Sequence, residues 1–290
     1  MSSVSKDIPE VVPNRRTSLG FSGRLATFPW WLAVMAVLGV WVIYLIANQQ
    51  TYSRIFTQLQ DGVRVTLFVS IVAYVIALII GMVVGVMRSY PPEADSGPLR
   101  VAGYHIATFY LELFRGLPIL VTLLIITFVA VPLFFDGLNA LFAQFGSEME
   151  FNSRVISYTW RAIIALGLSY GAFLSEIFRA GIQSVSDGQR EAAQALGLNS
   201  WQVMRYVVMP QAVRRILPPL GNDLIAMVKD SSLVAILAVR DITQLAKLSA
   251  GQSFLYLETY LVAAAIYLFI TIIGSLLVRV LERRMGTSAH

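Results

Sequence analysis

The sequence predicts an all-α integral membrane protein with six transmembrane helices, and three observations carry that prediction. Hydrophobic residues make up 57% of the 290-residue chain and charged residues only 13%, against roughly 25% charged in a soluble domain. The apolar residues fall in uncharged runs long enough to cross about 30 Å of hydrocarbon as helix. Lys and Arg are spread unevenly over the segments between the runs, in the manner that orients membrane helices. That asymmetry accounts for the net charge of +5 without a nucleic-acid partner. With no cysteine there is no disulfide framework and no Cys-based metal site. His105 and His290, far apart in the chain, do not suggest a metal or catalytic pair.

Residues 1–27 are polar and aperiodic, with Pro9 and Pro13, and read as a disordered tail. Span one, Trp30 to Ala47, follows without a small-residue cleavage pattern, so it reads as a retained helix, with Trp30, Trp31 and Trp41 as interface anchors or packing residues. Span two, Val65 to Met87, holds Gly81 and Gly85 in a GxxxG spacing that permits close approach of another helix, more readily within the chain than across a dimer. Span three, Gly116 to Phe135, is preceded by Glu112 and Arg115, spaced to pair on one helical face, and tolerates Pro118 in its first turn. The segment Asp136 to Tyr158 reads as an external loop or short surface helix. In span four only 14 uncharged residues separate Arg161 from Glu176, fewer than the roughly 17 a span requires. Either this helix is short or Glu176 lies at its inner end, within reach of Arg179. Gly167 and Gly171 supply a second GxxxG there.

Span five, Leu217 to Val239, is apolar enough to enter the membrane yet contains Pro218, Pro219, Gly221, Asn222, Asp223, Lys229, Asp230, Ser231 and Ser232. Ionisable residues inside a span face a cavity, a partner or a pathway, and the prolines suggest a broken helix. Span six runs uncharged from Thr259 to Val278 and closes with Arg279, Arg283 and Arg284. With both termini inside, 15 Lys and Arg fall on the inner side and six outside, with Lys229 within span five.

The longest polar interruption of the second half, Ser186 to Pro210, lies inside on this count. It reads as a short helix, a bend and a second helix. Ser186 and Gln189 have the spacing of a capping box, Gly197 is placed to end the first helix in a left-handed conformation, and Ser200 to cap the second.

The residues from Glu191 to Pro210, EAAQALGLNSWQVMRYVVMP, resemble the EAA signature of inner-membrane permease subunits of binding-protein-dependent ABC importers. Glu191-Ala192-Ala193 is followed by Gly197 and then by Val207, Met209 and Pro210. GVRVTLFVS from Gly62, ELFRGLPILV from Glu112, SEIFRAGIQSVSDGQ from Ser175 and PPLGNDLIAMVKDSSL from Pro218 are similar to the polar amino acid branch of that family. The resemblance covers roughly Asp61 to Arg284. It implies a type I importer permease-like bundle over residues 57–285, with a cytoplasmic coupling loop at about 186–210, an extra N-terminal helix and linker at 28–56, and a cytoplasmic tail at 1–27.

What the resemblance implies for function is a bacterial inner-membrane, multi-pass permease that imports polar amino acids by alternating access, with both termini cytoplasmic. It implies no enzymatic activity and no cofactor in this chain, and no GxxxxGK[ST] phosphate loop occurs in it; ATP and Mg would be bound by separate ABC ATPase subunits. The other implied partners are an extracytoplasmic amino-acid-binding protein, a second permease subunit in a homo- or heterodimer, and membrane lipid. The expected ATPase-coupling residues are Glu191, Ala192, Ala193, Ala195, Leu196 and Gly197, with Val203 and Val207 packing the second helix back on the spans. Glu191 would bond donors of the turn or meet a basic group of the partner. The expected substrate pathway is Glu176, Asn222, Asp223, Lys229, Asp230, Ser231 and Ser232: Asp230 and Glu176 for the substrate's positive group, Asn222 and the serines for hydrogen bonds, and Lys229 alternatively the structural partner of Asp230. Asp223 and Asp230, seven apart, share a face if their helix is continuous. Other readings are a permease for another small solute, or a channel or scaffold. A membrane enzyme would need a nucleophile or metal cluster that the sequence does not display.

Overall fold

The computed structural model describes residues 30–146 and 150–284, the side chains of residues 31 and 32 apart, and every element among them is helical. The expected tail at 1–27 and the side chain of Trp31 lie outside the described residues. The chain divides into two compact units, one ending at Tyr44 and one beginning at Leu45. The division falls within the first helix, α1 (Trp30–Asn48). Its Val34, Val37, Val40, Trp41 and Ile43 are exposed, an all-round apolar surface suited to lipid.

The second unit is built on α2 (Gln50–Arg88) and α6 (Tyr158–Gln183), packed along most of their shared length. Their two GxxxG pairs face one another. A Cβ on Gly81 would lie 2.8 Å from Cβ of Leu174, and one on Gly85 would lie 2.7 Å from Cβ of Phe178. From the other side, Gly167 abuts Ile76, and Gly171 abuts Ile80 and the Tyr110 hydroxyl. The close approach is therefore internal, as the spacing suggested. Lipid tails give no hydrophobic drive between helices, so contact density along such seams supplies the association energy. Each methyl forced into the seam would cost about 1–3 kcal/mol.

Among the described residues, four helices are long and apolar enough to cross a membrane: Gln50–Arg88, Ile119–Gln144, Tyr158–Gln183 and Tyr256–Arg284. Expected span one coincides with α1, 19 residues without a charge, a length that suits a span. Expected span five is not among the four, its helix carrying Arg214, Arg215, Asp223, Lys229 and Asp230.

Between expected spans two and three, where the sequence has no long uncharged run, α3 (Pro98–Gly116) packs beside α6. Tyr110 donates to the Leu168 carbonyl at 2.5 Å and Arg88 Nε to Thr108 at 3.2 Å. Its polar faces hid it from a search for uncharged runs. Leu117 and Pro118 break it from α4 (Ile119–Ile125), which continues through a π-helical turn, Ile126–Ala130, into α5 (Val131–Gln144). The expected Glu112–Arg115 pair does not form; both side chains are exposed.

The π turn has a covalent cause. Pro132 has no N–H for the carbonyl of Phe128, so the ladder shifts by one and Val131 N–H bonds to Ile126 O. Arg161 at the start of α6 holds this turn. Buried to 6% exposure, it donates to the carbonyls of Ile156 at 2.9 Å, Thr127 at 2.8 Å and Ser153 at 2.5 Å. Because backbone oxygens satisfy it, α6 extends past Arg161 and past Glu176 and is not short.

After α6 come α7 (Asp187–Ala195), a single turn α8 (Ser200–Gln202), a second π turn Val203–Val208 and α9 (Met209–Asp230). This π turn has the same origin: Pro210 cannot serve Tyr206, and Met209 N–H bonds to Met204 O. The break expected at Pro218 and Pro219 does not occur; α9 is continuous through both. The bonds they forgo are those to the carbonyls of Arg214 and Arg215, on an exposed turn where other partners are available.

A 3₁₀ segment, Ser231–Leu237, leads to α10 (Ile242–Ser253) and α11 (Tyr256–Arg284). These close a second apolar cluster, Ile55, Leu59, Ile242, Ala246, Val262 and Ile266, against the first half of α2. Fully buried Asp241 caps α10, accepting from Gln244 N at 2.8 Å and from the Tyr267 hydroxyl at 3.2 Å. Burial pushes its carboxyl above the usual range, and hydrogen bonds from Gln244, Thr243 and Tyr267 pull the other way.

Candidate functional site

The elbow is a compact bracket at the C-terminal end of α6. Helix α7 ends in a Schellman motif: Leu198 N–H bonds to Ala193 O at 3.2 Å and Gly197 N–H to Gln194 O at 2.9 Å, with Gly197 at φ +84°. The two caps differ from expectation. Ser186 begins α7 but makes no side-chain cap, the bond there being Gln189 N–H to the Ser186 carbonyl at 3.1 Å. The second helix is capped by Asn199 instead of Ser200: Asn199 Oδ1 accepts from Gln202 N and Gln202 Oε1 from Asn199 N, each at 2.9 Å. The left-handed Gly197 brings the chain round one residue earlier, which puts Asn199 at the cap and Ser200 inside the turn.

Of the expected coupling residues, Ala193 faces inward at 5% exposure, while Glu191, Ala192, Ala195, Leu196 and Gly197 are exposed. Among the described residues Glu191 makes no hydrogen bond or ion pair with the turn. Val203 is buried and Val207 half-buried in the main apolar cluster, so the second limb packs on the spans as expected. Its other side presents Trp201 and Tyr206 with the Arg205 guanidinium stacked on both rings, at 5.5 and 5.9 Å from their centres.

The elbow is tied to three helix ends. Arg190 of α7 pairs with Asp187 at 2.9 Å, donates to the Ile182 carbonyl at 2.6 Å and lies 5.0 Å over the ring of Tyr90, in the turn after α2. Gln183 donates to Ser89 O at 2.8 Å, and Arg215 of α9 to Ser184 O. Burial pushes the Tyr90 phenol above its ordinary value, Arg190 pulls it down and Asp187 raises it.

Glu176, about two helical turns before the end of α6, gives one carboxylate oxygen to Arg88 and the other to Arg179, the latter at 2.6 Å. The i+3 pair with Arg179 is as expected; Arg88 is the partner the sequence did not suggest, because it lies on another helix.

Continuity of α9 places Asp223 and Asp230 along one side. Asp230 accepts from the Tyr170 hydroxyl of α6 at 2.7 Å. No ion pair joins it to Lys229 among the described residues, and Lys229 is exposed. Asp223 lies close enough to act electrostatically on the hydroxyls of Tyr74 and Tyr170, and Tyr74 donates to the Leu220 carbonyl at 2.5 Å. Asn222 is exposed and Ser232 half-buried, while Ser231 is fully buried and donates to Val228 O at 2.8 Å. Thus α9 meets α2 and α6 through two tyrosines that sequence reading missed. Their only signal was a polar-tipped ring within each GxxxG-bearing helix. Among the described residues no cluster of acidic or histidine side chains is arranged to hold a metal ion.

A bundle of apolar helices with an exposed bracket and an acidic polar helix is the arrangement of a transporter's membrane subunit. Residues 98–287 match the family of the binding-protein-dependent transport system inner membrane component, and the chain belongs to it. Among its relatives, the glutamine transport system permease protein of Escherichia coli (strain K12) is 34% identical over 78% of this chain and 92% of its own. A probable glutamine ABC transporter permease of Bacillus subtilis (strain 168) is 35% identical over 80% and 95%. The crystal structure of an amino acid ABC transporter with histidines superposes with a TM-score of 0.62 at 33% identity, covering 82% of this chain and 98% of that one. The inward-facing methionine ABC transporter, at 18% identity and a TM-score of 0.53 over 77% and 95%, shares the fold.

Proposed function

We propose that this chain is the permease subunit of an ATP-driven importer of polar amino acids, working by alternating access in the bacterial inner membrane with both termini cytoplasmic. The observation that carries this reading is the elbow, an exposed bracket with one face built into the spans and the other without a partner among the described residues. Such a bracket suits a separate ATPase that binds ATP and Mg and whose closure moves the spans. A loaded extracytoplasmic amino-acid-binding protein meets the outer loops, and the pathway forms between two permease subunits, alike or different. The family and the names of the relatives support amino acids as cargo, and the excess of Lys and Arg on the elbow side supports the orientation.

In the same reading the coupling contact is Glu191 to Gly197, and the pathway is lined by Asn222, Asp223, Lys229, Asp230, Ser231 and Ser232. Asp230 meets the substrate's ammonium, with the Tyr170 hydroxyl orienting its carboxylate. Glu176 contributes to the inner mouth of the pathway, its charge balanced by Arg88 and Arg179. The test is reconstitution of the permease with its ATPase and binding protein in proteoliposomes. Polar amino acids are expected to stimulate ATP hydrolysis and to accumulate inside. Hydrolysis indifferent to every amino acid offered would refute the assignment.

A further inference from the structure

We infer that Arg190 is a positioning residue of the elbow, locking the first limb α7 at once to the end of α6 and to the α2–α3 turn. The inference rests on the coupling role proposed for the elbow, and adds to it the side chain through which motion of α7 reaches two spans together. An Arg–Asp pair three residues apart on a short helix is ordinarily a solvated surface pair of little consequence. Here the two partners differ: Asp187 is 84% exposed but the Arg190 side chain only 14%. The arginine has turned inward, away from the solvent its partner occupies.

What it meets there belongs to other elements. One terminal nitrogen donates to the Ile182 carbonyl at 2.6 Å, in the last turn of α6. The guanidinium plane lies over Tyr90, which follows the end of α2. Its Nε is buried without a partner, so the group is held only by its fork and its face. A planar fork that donates at two points while stacking a ring constrains rotation as well as distance. The linker from α6 to α7, Ser184, Val185 and Ser186, is itself held by Arg215 on the Ser184 carbonyl and by burial of Val185, but Arg190 is the α7 side chain that bonds back to α6. Without the arginine, α7 can pivot about that linker and absorb a displacement. With it, α7, the end of α6 and the α2–α3 turn move as one piece.

Two measurements on the permease–ATPase complex test this. The chain has no cysteine, so single cysteines at exposed Glu93 and Gln189 can carry spin labels reporting the distance from the α2–α3 turn to α7 within a subunit. Arg190→Met, which keeps length and apolar bulk, is expected to broaden that distribution clearly, and Arg190→Lys to broaden it partly, since an ammonium retains charge but not the fork. In proteoliposomes Arg190→Met is expected to leave the KM for ATP and assembly with the ATPase unchanged, while solute carried per ATP falls about fivefold or more, the scale of an ordinary coupling between sites. Tyr90→Leu combined with Arg190→Met is expected to add little to either single change. An unchanged label distribution, or an unchanged ratio of transport to hydrolysis, overturns the inference. So does a loss that tracks failed assembly. A wild-type complex with no solute-stimulated hydrolysis would refute the importer assignment instead, while the label measurement would still decide the lock.

Discussion

Gly188, in the first turn of α7, and Gly197, just beyond its end, offer a controlled test of the elbow. A Cβ added at either position meets nothing within 4 Å, so neither substitution creates a clash. They differ in backbone: Gly197 has φ +84°, whereas Gly188 lies in the first turn of α7. Alanine in the left-handed region costs about 1–2 kcal/mol, which lowers the population of the native bend by roughly 5- to 30-fold relative to its alternatives. Alanine at a helical position instead stabilises by about 0.4–1 kcal/mol, by restricting the unfolded chain. The assay is limited proteolysis of the elbow in the permease–ATPase complex, alongside solute carried per ATP in proteoliposomes. Gly197→Ala is expected to speed cleavage and to lower the transport ratio, with Gly197→Asn milder because asparagine tolerates this conformation. Gly188→Ala is expected to leave the ratio intact and slow cleavage slightly. Equal behaviour of Gly197→Ala and Gly188→Ala would refute the argument that the Schellman bend sets the bracket.

Three further outcomes are expected. Tyr170→Phe removes the donor to Asp230 and should reduce uptake at limiting substrate, with Asp230→Asn more severe; wild-type uptake in Asp230→Asn would exclude the carboxylate from the pathway. Gly62→Ala would bring a Cβ within 2.6 Å of the Ile242 backbone nitrogen, which cannot step aside, so a loss of about 1–3 kcal/mol is expected in the thermal melt of the detergent-solubilised complex. At Asp241, burial raises the folded pKa above the unfolded one, so its favourable contribution is present at low pH and lost as pH rises through the folded pKa. Asp241→Asn keeps the cap without the charge and should melt no lower than wild type at neutral pH, the difference shrinking in acid. Asp241→Ala should lose about 1 kcal/mol at either pH through the missing cap.

Much of the bundle was legible because membrane insertion imposes length and polarity on a contiguous run, which are local properties. The glycine pairs were readable for the same reason, since only residues without a Cβ allow such approach. Helix α3 was not, because Arg100, His105, Glu112 and Arg115 interrupt its apolar face, and its place beside α6 depends on Tyr110 reaching a carbonyl 58 residues away. At the site, the acidic face of α9 could be read from spacing alone, but its continuity through Pro218 and Pro219 could not. Proline removes a local bond, and whether the helix survives depends on its surroundings. The caps at Ser186 and Ser200 failed for a related reason: several residues near each helix start can cap it, and the left-handed bend decides which one is in position.

By itself, then, the sequence determined that this chain is a membrane bundle with a polar elbow that bends at Gly197, because hydrophobic length and a residue without a Cβ act along the chain. The tertiary structure alone decided which side chains meet across it: Arg88 with Glu176, Tyr170 with Asp230, and Arg190 with Tyr90. Those partners are 88, 60 and 100 residues apart, and only the packing of α6 against α2 and α9, and of α7 beside the α2–α3 turn, brings them into contact.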